Sequence, residues 1–157
     1  MAILVISDSH GKLERIIEAI ETNKKDVERV FFLGDGIDDI KLAEGMYKDI
    51  KFDYVQGNND FCYTVPLEKE VLVNNKKILL THGHLHTGTI GAKKLLERCK
   101  EQGIDAVFAG HTHTKREEYI DGVLFLNPGS ITRPFDGKPS YSLVEITDKI
   151  TNTVMYI

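Results

Sequence analysis

Short, uninterrupted apolar runs recur along the chain, separated by segments in which apolar residues follow a helical spacing. Such runs are typical of strands whose two faces are both covered, because a strand with one exposed face alternates apolar and polar residues. We therefore predict buried strands at six places. They are Ala2–Ile6, Val30–Leu33, Phe52–Val55, Ile78–Thr81, Asp105–Ala109 and Val123–Leu126.

Three stripes of apolar residues lie between these runs and predict helices with one buried face. The stripes are Leu13, Ile16, Ile17 and Ile20; then Ile40, Ala43 and Tyr47, the weakest; then Ala92, Leu95, Leu96 and Cys99. Gly103 follows the last stripe as a C-terminal stop, because glycine readily takes the left-handed conformation that ends many helices.

The second half of the chain is richer in hairpin signals. Asp121-Gly122 predicts a tight hairpin turn, and Asn74-Asn75, between Val71 and Ile78, is a candidate for another. A further hairpin is expected from 141–146 and 151–157. The pattern is α/β at first and β-rich at the end, which fits two sheets with helices outside them. Since neither an internal repeat nor a low-complexity linker is visible, residues 1–157 are expected to form a single domain.

The composition of the chain argues against several classes of function. The 157 residues carry 20 Lys and Arg against 24 Asp and Glu, a net charge of -4, so dedicated nucleic-acid binding is not expected. The first apolar run is too short for a signal sequence or a membrane span, and we expect a cytoplasmic protein without membrane contact. Cys62 and Cys99 do not suggest a disulfide framework, and both are expected to be structural.

Polar side chains of a restricted kind follow five of the predicted strands. In open α/β sheets ligands bind beyond the carboxyl ends of the strands, so five loops would deliver these side chains to one region. Glycines adjoin most of them, which permits sharp turns and close approach. The side chains are Asp8, His10, Asp35, Asn58, His82, His111 and His113, and the glycines are Gly11, Gly34, Gly36, Gly57, Gly83 and Gly110.

Carboxylate, amide oxygen and imidazole without thiolate suit Mn, Fe, Zn or similar ions. One ion needs three to six ligands, so seven candidates indicate two ions that share a carboxylate, an arrangement suited to phosphoryl displacement. Each block alone is unremarkable: Gly57-Asn58-Asn59-Asp60 is also a turn signal, and the alternating His82, His84 and His86 could line one face of an extended segment. The combination at strand ends favours metal binding.

The chain resembles the calcineurin-like metallophosphoesterases, and its compact form is similar to their small bacterial and archaeal phosphodiesterase branch. The matching motifs are Asp8-Ser9-His10-Gly11, Gly34-Asp35, Gly57-Asn58-Asn59-Asp60, Thr81-His82-Gly83-His84, Gly110-His111-Thr112-His113 and Asn127-Pro128-Gly129-Ser130. The resemblance implies a four-layer α/β/β/α sandwich. It also implies hydrolysis of phosphate esters, most of all phosphodiesters, by a hydroxide that bridges two metal ions.

The resemblance further assigns ligands. Asp8, His10 and His113 would hold the first ion, Asn58, His82 and His111 the second, and Asp35 would bridge them. Mn²⁺ is the expected ion, with Ni²⁺, Fe²⁺ and Zn²⁺ as alternatives. Asp35, Asn58 and His84 are the residues expected to take part in catalysis.

The chain departs from the family pattern at Asn59, where many members carry the His that protonates the leaving group. Since an amide cannot act as a general acid near neutral pH, good leaving groups should be favoured. His84 is the candidate to replace that acid in part, although support of the neighbouring ligands is the expected role.

Two other functions stay open. A phosphomonoesterase acting on nucleotides or phosphoproteins would need extra cationic groups, for which Arg133 and Lys12 are the candidates. A non-catalytic protein-binding scaffold of the same fold, like the retromer's small subunit, would be expected to have lost ligand residues. Phe61, Tyr63 and Phe135 are candidates for a contact between copies of the chain.

Overall fold

The computed structural model describes residues 2–157, which contain three α-helices, ten β-strands and a short 3-10 helix at His84–His86. The strands are β1 (Ala2–Ile6), β2 (Val27–Phe32), β3 (Lys51–Tyr54), β4 (Glu68–Val73), β5 (Lys76–Thr81), β6 (Ala106–Ala109), β7 (Arg116–Ile120), β8 (Val123–Asn127), β9 (Ser140–Ile146) and β10 (Ile150–Tyr156). The helices are α1 (Leu13–Asn23), α2 (Ile37–Met46) and α3 (Gly88–Gln102).

The strands form two five-stranded sheets. The first sheet has the order β10-β9-β1-β2-β3, and its strands β1, β2 and β3 pair in parallel. The second sheet has the order β4-β5-β6-β8-β7, with β5, β6 and β8 in parallel. An antiparallel hairpin, β9 and β10, lies at one side of the first sheet, and antiparallel partners flank the parallel strands of the second sheet on both sides. Each sheet therefore contains three adjacent parallel strands that end at a common edge.

Three apolar clusters show how the layers stack. Along β1, Leu4 and Ile6 pack with α1 and α2 on one face, whereas Ile3 and Val5 pack against the second sheet on the other. The outer face of the second sheet packs against α3, for example through Leu95. The order is helices, sheet, sheet, helix, so the predicted four-layer α/β/β/α sandwich is confirmed.

The predicted elements are present with shifted ends. All six buried strands and the three helices form, and Gly103 ends α3 in the left-handed conformation. The turns at Asn74-Asn75 and Asp121-Gly122 have positive φ at both residues, as tight hairpins require. Among residues 2–157, none of the helices combines the length and the apolar character needed to cross a membrane.

β2 begins three residues before its predicted start, and the extension includes a buried charged residue, Arg29. The Arg29 side chain donates to Asp53 on β3 at 2.7 Å, and Lys69 also pairs with Asp53 at 2.8 Å. A buried charge is tolerated when it is paired and hydrogen-bonded in this way.

Candidate metal centre

The loops that follow the parallel strands carry the candidate ligands of both sheets to one place. From the first sheet come Asp8 and His10 after β1, Asp35 after β2 and Asn58 after β3. From the second sheet come His82 after β5, and His111 and His113 after β6. The first sheet thus supplies the oxygen donors and one imidazole, and the second sheet supplies three imidazoles.

Asp8, His10 and His113 form the first group of candidate ligands. His113 Nε2 lies 3.1 Å from Asp8 Oδ1 and 3.2 Å from His10 Nε2. His10 Nε2 lies 3.9 Å from Asp8 Oδ1. Two ligand atoms that bind one ion at about 2.0–2.1 Å lie roughly 3.0–3.4 Å apart. The two shorter distances therefore fit a shared ion.

Asp8, Asp35 and His82 form the second group. His82 Nε2 lies 3.5 Å from Asp35 Oδ2, 4.0 Å from Asp8 Oδ1 and 3.1 Å from Asn58 Oδ1. Asp35 Oδ2 also lies 3.9 Å from His10 Nε2 of the first group. Asp8 is common to both groups, and Asp35 of the second group also lies beside the first.

His111 and His84 add two imidazole rings beside the second group. The His111 ring centroid is 5.1 Å from that of His82, and the His111 backbone N–H donates to Asp8 Oδ2 at 3.2 Å. The His84 ring centroid lies 5.5 Å from that of His82 and 6.2 Å from that of His111. The structure thus brings all seven predicted ligands, and His84, to one site.

The interpretation of His82, His84 and His86 as one face of an extended segment is wrong. Gly83 has φ 102°, and the chain turns there into the 3-10 helix. His86 is carried away from the site, and its Nε2 contacts Glu68 Oε1 at 2.6 Å. Arg98 donates twice to the same carboxylate, at 2.8 and 2.9 Å, so His86 belongs to a structural cluster centred on Glu68.

Backbone carbonyls fix the orientation of two of the imidazoles. His82 Nδ1 lies 2.7 Å from the Leu33 carbonyl oxygen, and His113 Nδ1 lies 2.7 Å from that of Arg133. Because a carbonyl oxygen only accepts, each Nδ1 must donate, which leaves Nε2 with a free lone pair when the ring is neutral. Such outer contacts are typical of histidines that bind metal ions.

Asp60 holds two ligand loops together and was not identified from sequence. Its carboxylate accepts from the backbone N–H groups of Asp35 at 2.7 Å, Gly36 at 2.9 Å, Ile37 at 3.0 Å and Gly57 at 2.8 Å. Three of these donors lie at the N-terminal end of α2, where an anion is favoured. The only sequence signal was its place in a turn motif.

Two hydroxyl groups after β8 hold the first ligand loop, and they too were missed. Ser130 Oγ and Thr132 Oγ1 donate to the Asp8 carbonyl at 3.0 and 2.8 Å.

Asn59 donates to the Asp35 carboxylate through its backbone N–H at 2.9 Å and its side-chain amide at 2.6 Å. Asn59 therefore orients the central carboxylate instead of serving as an acid.

Glycines next to the ligands allow the loops to approach closely. A Cβ atom on Gly34 would lie 2.6 Å from the backbone nitrogen of Gly57, and one on Gly110 would overlap Ser7 Oγ. Neither distance is attainable for real atoms. The glycines therefore serve the close approach expected from their place in the sequence.

Backbone strain is concentrated at the site. Among residues 2–157, eight non-glycine residues have positive φ, and five of them are candidate ligands with φ between 46° and 68°. The left-handed conformation costs an L-residue about 1–2 kcal/mol. Strain that surrounding contacts maintain is often found at functional sites. The five are Asp8, His10, Asp35, His111 and His113, and the other three, Asn74, Asn75 and Asp121, lie in hairpin turns.

Burial and neighbouring charges shift the pKa values of these groups in different directions. Burial lowers the pKa of His10 and that of His111. Burial also disfavours charged His82, but its hydrogen bond with Asp35 and nearby carboxylate charge outweigh this, so the pKa of His82 is raised. Burial opposes the ionisation of Asp35, yet hydrogen bonds from His82 and Asn59 hold its pKa well below the usual range. Asp35 is therefore an anion at neutral pH.

One oxygen atom among the candidate ligands lacks a hydrogen-bond partner in the described part of the chain and lies where a cation would fit. Asp8 is fully buried, and its Oδ1 has no hydrogen-bond partner within residues 2–157. An unpaired buried carboxylate oxygen is costly, and a cation would remove that cost. With His113 Nε2 at 3.1 Å and His82 Nε2 at 4.0 Å, this oxygen faces both groups. The residues present therefore fit divalent metal ions.

A cavity of about 300 Å³ opens at the centre and contains candidate ligands in its walls. Asn59, Arg133 and Phe135 complete the lining, and the Phe135 ring stacks on His113 with 5.1 Å between centroids. Lys12 is exposed and is not among the residues that line this cavity. Of the two predicted cationic candidates, only Arg133 is therefore at the site.

Comparison with known proteins gives consistent results. The model of the calcineurin-like phosphoesterase superfamily domain matches residues 1–149. A Bacillus subtilis protein named "Probable metallophosphoesterase YsnB" is 32% identical over 134 residues, covering 85% of this chain and 77% of that protein. A protein of Methanocaldococcus jannaschii named a phosphodiesterase is 29% identical over 165 residues, covering 95% of each.

Comparison with solved structures also indicates a phosphoesterase. A Streptococcus pneumoniae protein described as a predicted phosphoesterase superposes with a TM-score of 0.83 at 29% identity, covering 99% of this chain and 88% of that one. Vacuolar protein sorting-associated protein 29 of Schizosaccharomyces pombe is 32% identical, but over 96 residues, 61% of this chain and 49% of that protein. The scaffold alternative is therefore weaker than the enzymatic one.

Proposed function

This chain belongs to the calcineurin-like phosphoesterase superfamily, and from that premise we propose that it hydrolyses phosphodiesters with two divalent metal ions. The observation that carries the proposal is the convergence of the ligand atoms of Asp8, Asp35 and three histidines around the unsatisfied Asp8 Oδ1. The relatives named as phosphodiesterases support the choice of diesters as substrates.

We assign the ligands to two positions. Asp8, His10 and His113 would hold one ion, and Asn58, His82 and His111 the other. Asp35 would contact both, which its distances of 3.9 Å to His10 Nε2 and 3.5 Å to His82 Nε2 support. When bound, the ions would lower the pKa of a water ligand and neutralise charge on the phosphoryl oxygens.

The leaving group receives little help from the chain. Asn59 stands where many relatives carry an acid, and both of its contacts are to Asp35. Burial and the neighbouring His82 and His111 lower the pKa of His84, so His84 is mostly neutral near pH 7 and a poor proton donor. Hydrolysis should fall steeply as the pKa of the leaving alcohol rises, and esters of acidic alcohols are the proposed substrates.

Several finer points belong to the same proposal. Mn²⁺ is the proposed ion, because carboxylate, amide and imidazole donors suit first-row divalent metals.

Cys62 and Cys99 are free thiols, which supports a reducing, cytoplasmic setting. We propose that residues 1–157 act as one catalytic domain. Phe61, Tyr63 and Phe135, all exposed, are the proposed contact in a homo-oligomer.

The decisive experiment measures hydrolysis of bis(4-nitrophenyl) phosphate with added Mn²⁺ and with a chelator. Asp35→Asn should lower kcat/KM by at least about 100-fold, because a ligand of both ions is lost. Asp38→Asn is the matched control, since Asp38 is exposed and lies three residues away. Turnover that survives chelation, or equal loss in both variants, would contradict the proposal. Metal binding without turnover of any ester would favour a scaffold.

A phosphomonoesterase is the second candidate, and the place of Arg133 at the cavity favours it. A monoester carries one more negative charge, which a guanidinium can neutralise. The test compares 4-nitrophenyl phosphate with its methyl diester in the native protein and in Arg133→Met. Selective loss of monoester turnover would favour this reading, and faster diester turnover in the native protein would exclude it.

A further inference from the structure

A second and larger cavity, of about 490 Å³, lies between α3 and the outer face of the second sheet. Its apolar walls include Leu95 of α3, Val107 of β6 and Phe125 of β8. We call it the α3 cavity. Its volume falls within the range of about 300–1,000 Å³ that is usual for small-molecule sites.

The α3 cavity exists because the first half of α3 does not close on the sheet. Leu95 and Cys99 bury the second half of the helix, but Ala92, which belongs to the same apolar stripe, stays exposed while lining the cavity. Ile90 is 73% exposed. The stripe predicts a helix packed along its length, and the structure instead leaves a wedge of open apolar surface.

Two polar side chains that line the α3 cavity, Asn127 and Arg116, are already paired, and its walls are mainly apolar. Asn127 donates to the Gly110 carbonyl at 2.8 Å and to Thr112 Oγ1 at 3.0 Å. Arg116 pairs with Glu118 at 2.6 Å. Groups with satisfied hydrogen bonds gain little from a polar ligand. The cavity should therefore select an apolar, uncharged occupant.

The α3 cavity adjoins the metal centre. His111 and Phe135 line both cavities, so a molecule that extends past these two side chains would meet the metal ligands and the apolar walls together. Aromatic surface is present in both cavities. The Arg116 guanidinium lies 5.7 Å from the Phe125 ring centroid in the α3 cavity, and Phe135 stacks on His113 at the metal centre.

We propose that the α3 cavity receives an aromatic, uncharged ester group of the substrate, the one that stays on phosphorus when the other ester group leaves, while the phosphate lies at the metal centre. This rests on the proposed phosphodiesterase function and narrows its substrates to aryl phosphodiesters.

The test uses two diesters with the same leaving group, 4-nitrophenyl phenyl phosphate and 4-nitrophenyl methyl phosphate. The native protein should prefer the phenyl ester by roughly 10–100-fold in kcat/KM, the range that an apolar contact of this size supplies. Ala92→Phe should fill the α3 cavity and abolish most of the preference while leaving methyl-ester turnover unchanged. Lys94→Phe adds the same ring to an exposed position of α3 that does not line the cavity, and should keep the preference.

A binding measurement separates this inference from the proposed function. Diphenyl phosphate at millimolar concentration should shift the backbone amide NMR signals of Leu95 and Val107 in the native protein, and not in Ala92→Phe. These shifts without turnover of either diester would contradict the phosphodiesterase proposal and leave the cavity assignment standing. Turnover with equal rates for both diesters, or without these shifts, would overturn the cavity assignment.

Discussion

α1 and α2 bury six apolar side chains against the first sheet. The longer α3, all of whose residues the structure describes, buries two, Leu95 and Cys99. Two helices pack along their length on the outer face of the first sheet, whereas only the C-terminal half of α3 packs on the outer face of the second. The six are Ile16, Ala19, Ile20, Ile37, Ile40 and Ala43.

The difference follows the positions of the ligand loops. α1 begins three residues after His10 and α2 two residues after Asp35, so tight packing of these helices also fixes the loops that carry ligands. The 3-10 helix and Thr87 separate α3 from His82, so α3 can stand off the sheet without moving a ligand. Rigid packing thus supports the metal centre, and loose packing leaves room beside it.

The largest expected effect is on stability. Ile20→Ala on α1 should lower the free energy of unfolding by about 2–5 kcal/mol, because Ile20 is fully buried. Ile90→Ala is the same change in the first half of α3 and should cost less than about 0.5 kcal/mol. Urea titrations in the presence of chelator would measure both. Similar losses at the two positions would show that the first half of α3 is packed after all.

The next effect concerns local opening. Backbone amides of residues 91–94 in α3 should exchange with solvent at least about 100-fold faster than those of residues 17–20 in α1, because few apolar contacts hold the first half of α3. Native-state hydrogen exchange followed by NMR would measure the ratio. Equal protection of the two segments would remove the distinction between the helical layers.

The smallest effect is a pH dependence that distinguishes the two cysteines. Hydrogen bonding by Thr64 and by Lys41, whose Nζ lies 3.1 Å from Cys62 Sγ, lowers the pKa of Cys62 to about 7. Burial raises the pKa of Cys99. Since the thiolate is the nucleophile, alkylation of Cys62 by iodoacetamide should rise with pH and reach half its maximum near pH 7.

In the same experiment Cys99 should stay unlabelled, because it is fully buried under α3. Lys41→Met should move the Cys62 midpoint upward, since a hydrogen bond and a positive charge beside the thiolate are lost. Mass spectrometry of labelled peptides would follow both sites. Rapid labelling of Cys99 would mean that the C-terminal half of α3 opens as readily as the first.

Much of this structure was predictable from sequence, because its strands are apolar on both faces and its ligands follow directly after them. Continuous runs such as Ala2–Ile6 leave little ambiguity, and Asp8, Asp35 and His82 lie where parallel strands end. The buried Arg29 was not predictable, since its partner Asp53 is supplied by a strand 24 residues further on.

The supporting contacts of the site and the α3 cavity were equally hidden. Asp60 reads as a turn residue, and its four bonds to backbone N–H groups exist only after two loops meet. The stripe that ends at Cys99 predicts a packed helix, because periodicity gives the face of a helix but not its tilt against a sheet. Tertiary geometry decides both features.

The positive φ angle of His10 has a consequence for protein engineering. The His10 side chain accepts no hydrogen bond from the backbone of residues 2–157, so His10→Gly would relieve the backbone while deleting a ligand, and this variant should unfold at higher temperature in the absence of metal. A directed-evolution campaign that scored heat resistance alone would therefore tend to discard the catalytic centre. Every round would have to score ester hydrolysis as well.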